Sequence, residues 1–166
     1  TNKASQRFYL NELKPVVVGG TTLTSGTYIV ESVAAPGKML DVSGSSKKNG
    51  AAVLIYKKTS NPNQRFTFTY DAQTGYYEIK NVNSGLVLDV TGSGWDQGTS
   101  VIQYASHGGF NQRWSIETNA SGNLFIRSAY SAYSIDLSGS QKTDGTKVIV
   151  WQYHGEANQQ WKLLAP

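Results

Sequence analysis

Three aspartates, Asp41, Asp89 and Asp136, stand 48 and 47 residues apart, and each is followed by the same residues at the same offsets. A glycine follows after three residues (Gly44, Gly92, Gly139) and another after nine (Gly50, Gly98, Gly145). A valine comes at twelve (Val53, Val101, Val148) and an aromatic ring at fifteen (Tyr56, Tyr104, Trp151). Asparagine and glutamine come at twenty-two and twenty-three, and a second ring at twenty-five (Phe66, Trp114, Trp161). The chain is a threefold internal repeat. A fold built on it must give each copy the same local structure and let the copies bury one another.

The local pattern within each copy is that of strands. Leu40-Asp41-Val42, Leu88-Asp89-Val90 and Ile135-Asp136-Leu137 place an acid between apolar neighbours. Side chains alternate along a strand, so the neighbours share one face and the aspartate takes the other, pointing away from the core. Each copy opens on a run of β-formers: Tyr28-Ile29-Val30, Tyr77-Glu78-Ile79 and Leu124-Phe125-Ile126. Each closes on another alternating pair: Phe66 with Phe68, Trp114 with Ile116, Trp161 with Leu163. No stretch carries a helical stripe of useful length, so the reading is four short strands per copy and about twelve in all.

Helical solenoids are excluded by the missing helices, and propellers typically need four or more blades. Three four-stranded units over residues 26–166 fit an all-β fold closed on itself, a β-trefoil. The repeats are taken as 26–73, 74–120 and 121–166. Closure removes the exposed edges that short strands would otherwise present. Residues 1–25 lie outside the pattern and read as a linker or as the tail of a preceding repeat, since Ser5-Gln6-Arg7-Phe8 echoes Asn63-Gln64-Arg65-Phe66. The chain opens on threonine, which points to a mature or excised piece of a longer protein.

Composition narrows the function classes. With 166 residues one domain is expected, and 17 glycines, 10 tyrosines and 16% charged residues suit a turn-rich β protein. The net charge is +4, but lysines and arginines are scattered, with pairs only at Lys47-Lys48 and Lys57-Lys58. A nucleic-acid face would cluster them. There is no cysteine, hence no disulfide, thiolate metal site or cysteine nucleophile. No apolar run approaches the ~20 residues of a membrane-spanning helix.

The combination of Leu-Asp-Val, glycine loop, aromatic strand end and Gln-x-aromatic (Gln64-Arg65-Phe66, Gln112-Arg113-Trp114, Gln159-Gln160-Trp161) resembles the ricin-B-type β-trefoil lectins and the family 13-like carbohydrate-binding modules of bacterial glycosidases. The resemblance implies non-catalytic glycan binding through two or three shallow sites, one per lobe, with galactose-type sugars or a plant or host polysaccharide as partner. In such sites the aspartate accepts bonds from two sugar hydroxyls, the ring stacks on the sugar's apolar face and the asparagine adds a polar contact. By position these are Asp41, Tyr56 and Asn63, then Asp89, Tyr104 and Asn111, then Asp136, Trp151 and Asn158. His107 and His154 occupy matching loop positions in the second and third copies, where the first has Thr59.

The residue types suit these roles. Charge-assisted hydrogen bonds are the stronger kind, and a Tyr or Trp offers a flat apolar face with a polar edge. Members of the family often carry a polar residue two positions before the ring. Here Leu54, Ile102 and Ile149 stand there, and Gln103 lies one residue later, which leaves either a contact absent from each lobe or a strand shifted in register. The aspartates could instead anchor the glycine turns that follow them. The glutamines read as structural, and the rings at offset twenty-five as core.

Threefold symmetry sets the two histidines on different lobes, so no metal and no cofactor is expected. One aspartate per lobe, with no second carboxylate at a matched offset, argues against glycosidic cleavage, which uses a pair. A protein-interaction trefoil without sugar binding is the alternative. Localisation is expected to be secreted or cell-surface, with further domains in the parent chain.

Overall fold

The computed structural model describes residues 17–18 and 21–166. The echo at Ser5-Gln6-Arg7-Phe8 lies outside the described residues. A two-stranded ladder, β1 (Val17–Val18) with β2 (Thr21–Thr22), precedes twelve further strands. These are β3 (Gly26–Ser32), β4 (Lys38–Val42), β5 (Val53–Lys57), β6 (Phe66–Asp71), β7 (Tyr76–Asn81) and β8 (Val87–Val90). They continue with β9 (Val101–Tyr104), β10 (Trp114–Thr118), β11 (Leu124–Ser128), β12 (Ser134–Leu137), β13 (Val148–Trp151) and β14 (Trp161–Leu164).

Six of them close a ring: β3 pairs with β6, β6 with β7, β7 with β10, β10 with β11, β11 with β14, and β14 returns to β3. The other six form three hairpins, β4–β5, β8–β9 and β12–β13, one in each copy. This is the β-trefoil expected from the repeat. The chain's contacts with the barrel begin before Gly26: Leu23 packs on the core, and its carbonyl accepts a bond from the Tyr77 hydroxyl at 2.9 Å.

The core is filled by the apolar side of each alternation. Val30, Ile79 and Ile126 meet there with Phe66, Trp114 and Trp161, all fully buried. Side chains of this size contribute roughly 1.5–3 kcal/mol each when removed from water. The Trp114 indole N–H donates to the Leu88 carbonyl at 3.2 Å, whereas Trp161 Nε1 is buried without a partner.

One position departs from the apolar rule. Gln103 is buried where the other lobes carry Ile55 and Val150. Its amide is satisfied, with Nε2 donating to the carbonyls of Ser46 (2.9 Å) and Lys48 (3.0 Å) and Oε1 accepting from the Ser84 hydroxyl (2.7 Å). A buried amide is tolerated on those terms, and it ties the glycine loop of lobe one to lobe two.

Main-chain bonds repeat that tie around the ring. Gly50, Gly98 and Gly145 have φ of +87°, +90° and +89°, the left-handed region where glycine carries no Cβ penalty. That geometry aims each N–H at the next lobe's hairpin: Gly50 to the Gln103 carbonyl, Gly98 to that of Val150 and Gly145 to that of Ile55, each at 2.8 Å. Reciprocal bonds return from Gln103 N to Ala51, Val150 N to Thr99 and Ile55 N to Thr146. The residue before each glycine adds a side-chain acceptor: Asn49 for Ala105 N, Gln97 for Gln152 N and Asp144 for Lys57 N. Every lobe's loop therefore holds the end of the neighbouring lobe's ring-bearing strand.

Candidate functional site

Strand register fixes the makeup of each site. Asp41 pairs across its hairpin with Leu54, Asp89 with Ile102 and Asp136 with Ile149. Tyr56, Tyr104 and Trp151 lie two residues further along the second strand, on the same face. No strand is shifted; the position expected to be polar is an apolar floor beside the acid. The rings are exposed at 38%, 42% and 40%, so they face solvent and not the core.

The aspartates take the face that alternation gives them. They do leave the barrel core, but they are not exposed: Asp41, Asp89 and Asp136 retain only 5%, 3% and 4% of their accessible surface. The reason lies in the glutamine of each Gln-x-aromatic element. Gln64 Nε2 donates to Asp41 Oδ2 at 2.9 Å, Gln112 Nε2 to Asp89 Oδ2 at 2.8 Å, and Gln159 Nε2 to Asp136 Oδ2 at 2.9 Å. The same nitrogen donates to a loop carbonyl (Lys57, Ala105, Gln152), and Oε1 accepts a loop N–H (Thr59, His107, His154). One fully buried amide thus holds the carboxylate and the loop together in every lobe. The donors to these carboxylates are side chains, not the N–H groups of the glycine turns.

Burial pushes the three carboxyls above their ordinary pKa of 3.8, opposed by the glutamine bond in each case. A neighbouring histidine also opposes the shift at Asp89 and Asp136, while the like charge of Asp144 adds to it at Asp41. The asparagines Asn63 and Asn111 are largely buried as well, and their Nδ2 groups donate to the carbonyls of Val42 (3.2 Å) and Val90 (3.4 Å). They help build the site as much as they line it.

His107 Nδ1 accepts from Gly109 N at 3.1 Å, and His154 Nδ1 from Glu156 N at 3.0 Å. An accepting Nδ1 leaves the ring proton of a neutral imidazole on Nε2. That nitrogen lies 3.8 Å from Asp89 Oδ2 in lobe two and 3.5 Å from Asp136 Oδ2 in lobe three. In lobe one the Thr59 hydroxyl accepts the equivalent N–H, from Asn61 at 3.2 Å.

Two of the sites are open clefts. In lobe one about 410 Å3 is enclosed by Asp41, Leu54, Tyr56, Thr59, Asn61 and Asn63, with Gly145 of lobe three completing the rim. In lobe three about 220 Å3 lies among Asp136, Ile149, Trp151, His154 and Asn158. Both are edged by a serine that the sequence reading passed over, Ser45 or Ser140. With Ser93 these serines hold φ of +51° to +54°, an uncommon conformation for a residue with a Cβ. Their signal was available: a serine four residues after every aspartate. Among the described residues no group of three or more His, Cys, Asp or Glu side chains could hold a metal ion.

Three hairpins on a closed barrel, each presenting a braced acid beside an outward ring, define a β-trefoil. The ricin-type beta-trefoil lectin domain-like family model matches residues 4–104, 62–151 and 111–166, and the chain belongs to that family. A designed threefold-symmetric protein, ThreeFoil, is 33% identical, with TM-score 0.80 over 84% of this chain and 99% of its own. An exo-beta-1,3-galactanase from Clostridium thermocellum is 32% identical at TM-score 0.80, over 86% of this chain but 30% of the galactanase. The Macrolepiota procera ricin B-like lectin, solved in complex with lactose, is 26% identical at TM-score 0.75, over 88% of this chain and 100% of the lectin. Flavastacin of Elizabethkingia meningoseptica is 37% identical over 65 residues, 39% of this chain and 14% of flavastacin.

Proposed function

We propose that this trefoil binds carbohydrate without catalysis, through one shallow site per lobe, with galactose-type sugars or a galactan as target. The observation that carries the reading is the threefold recurrence of a carboxylate fixed by a buried amide beside an exposed ring. Such a pair offers acceptors for adjacent hydroxyls and a platform for an apolar sugar face, the few parts a small-ligand site needs. The galactose-type preference draws support from similarity to the galactanase segment and to the lectin solved with lactose. The binding groups are Asp136, Trp151, His154 and Asn158, then Asp89, Tyr104, His107 and Asn111, then Asp41, Tyr56 and Asn63.

A single shallow site binds weakly, and three on one body gain avidity on a target that repeats its sugar. Attachment to further domains is consistent with the small share of the galactanase and of flavastacin that aligns. Secretion or cell-surface display would bring the module to such a target. Calorimetric titration with galactose, lactose and a β-1,3-galactan, repeated on Asp41→Ala, Asp89→Ala and Asp136→Ala singly and together, tests the reading. The expected result is stepwise loss of sites, ending in none for the triple variant. A wild-type protein deaf to all three sugars, or a triple variant that still binds, would overturn it.

A further inference from the structure

The three sites are not alike at their outer edge. In lobe three a second cleft of about 580 Å3 adjoins the first and shares Ser140, His154 and Asn158 with it. Its far side is formed by Lys142, Glu156 and Ala157, with Val33 and Ala34 from the β3–β4 turn of lobe one. The symmetry-related positions of lobe two carry different chemistry. Trp95 stands six residues after its aspartate, where lobe three has Lys142. Gly109 and Phe110 stand where lobe three has Glu156 and Ala157.

Lobe two therefore exchanges a lysine and a methyl for two large rings, and a glutamate for a glycine against which His107 and Asn111 pack. Trp95 is 40% exposed and Phe110 48% exposed. Trp95 is braced by Tyr130, at 4.1 Å between centroids, and Tyr130 belongs to the β11–β12 turn, the counterpart of the turn that borders the lobe-three cleft. Phe110 meets Tyr76 edge-on at 6.2 Å, and Tyr76 packs with Ala129 and Ala132 of that same turn. The repeat that sets Lys142 and Ala157 along the lobe-three cleft, beside His154 and Asn158, gives Trp95 and Phe110 the corresponding places beside His107 and Asn111 in lobe two.

We propose that the Trp95–Phe110 shelf is a second subsite, which takes the next pyranose unit of an oligosaccharide whose terminal unit sits against Asp89 and Tyr104. This rests on the carbohydrate reading of the primary site. A pyranose has an apolar face for Trp95 and Phe110, and a glycosidic neighbour of the terminal unit must lie directly beside it. A ring already held by Tyr130 loses little freedom on binding. Lobe two then discriminates by chain length, and the polar shelf of lobe three does not provide the same stacking surface.

Site-resolved NMR titration of the 15N-labelled protein tests this, with the Trp95 indole N–H and the Gly92 and Gly109 amides reporting on lobe two and Gly139 and Gly155 on lobe three. The probes are galactose and β-1,3-galactobiose. Wild type is expected to bind the disaccharide about tenfold more tightly than galactose in lobe two. Trp95→Lys, which installs the side chain lobe three carries there, and Phe110→Ala are each expected to erase that gain and leave galactose affinity within twofold. Thermal unfolding of both variants verifies that they fold. An unchanged disaccharide preference in the variants, or an equal loss for both sugars, overturns the subsite and leaves the carbohydrate reading standing. A wild type that binds neither sugar in any lobe overturns both.

Discussion

Removing Gln159 probes the link on which every lobe depends. Its side chain is fully buried and makes three bonds: to Asp136 Oδ2 (2.9 Å), to the Gln152 carbonyl (3.0 Å) and from His154 N (3.1 Å). Gln152 and His154 are exposed residues, so their freed main-chain groups can turn to water, at about 0.5–1.5 kcal/mol each. Asp136 is 4% exposed and cannot. A hydrogen bond to a charged group contributes about 1.5–3 kcal/mol. Gln159→Ala should therefore cost roughly 3–5 kcal/mol, a large part of the ~5–15 kcal/mol that holds a domain folded. The melting temperature should drop by roughly 10 °C for a chain of this size.

A double-mutant cycle with Asp136→Asn isolates the pair. Burial raises the folded-state pKa of Asp136 above 3.8, with the glutamine bond opposing that shift. A carboxyl raised in this way favours the fold below its unfolded pKa and loses that contribution as pH rises through the folded value. At pH 7 the ionised group therefore opposes folding, and Asp136→Asn should leave the protein at least as stable. In that background Gln159→Ala strands a neutral amide instead of a carboxylate, so its cost should shrink by about 1–2 kcal/mol. Urea unfolding at pH 7 with an unchanged m-value measures all four corners. Additivity within about 0.5 kcal/mol would refute the idea that the glutamine carries the acid.

Further outcomes follow from the same geometry. Sugar affinity should fall on acidification at a pH above the ordinary carboxyl value of 3.8, and first in lobe one, where Asp144 adds to the upward shift and no histidine opposes it. NMR titrations between pH 3 and 7 would read the order, and a first loss in lobe two or three would contradict it. Gly98→Ala forces a side chain into φ +90° at a cost of roughly 1–2 kcal/mol. The new Cβ would lie 3.7 Å from Trp151 Cζ3, so the Trp151 indole resonance of lobe three should shift although the change is in lobe two; a response confined to lobe two would be the wrong answer. Trp114→Phe should cost about 1–3 kcal/mol more than Trp161→Phe, because it strands the Leu88 carbonyl while Trp161 Nε1 has no partner to lose. Equal melting temperatures for the two variants would count against that.

Period and offset carried the fold. Alternation around Asp41, Asp89 and Asp136 gave the strands and their core face, and the three copies forced closure. Period two says which face a residue takes and nothing about what covers that face, so the burial of the acids could not be read. Their cover, Gln64, Gln112 and Gln159, lies twenty-three residues on and was legible only as a motif of its own. Gly50, Gly98 and Gly145 were plain in the string, but the strands they hold belong to the next lobe, and no spacing within a repeat points across it. Trp95 and Phe110 were invisible to the repeat logic for the opposite reason: they break the symmetry that made the rest readable.

That division orders the molecule physically. The groups shared by all three lobes form the machinery that desolvates a carboxylate, and this opposes folding unless an amide opposite it is equally buried. Because Gly50, Gly98 and Gly145 each hold the neighbour's ring-bearing strand, no lobe can shift its aspartate or its ring without moving the next. The constrained set is therefore the interior of the sites, and what remains free to vary lies on their outer rim, at offsets six, twenty and twenty-one from each aspartate. Lysine, asparagine and proline stand there in lobe one, tryptophan, glycine and phenylalanine in lobe two, and lysine, glutamate and alanine in lobe three. A scaffold locked at its sites and variable at their edges can present three different second contacts around one common first contact. On the proposed carbohydrate reading, selectivity among extended ligands would reside in rim residues that differ from copy to copy.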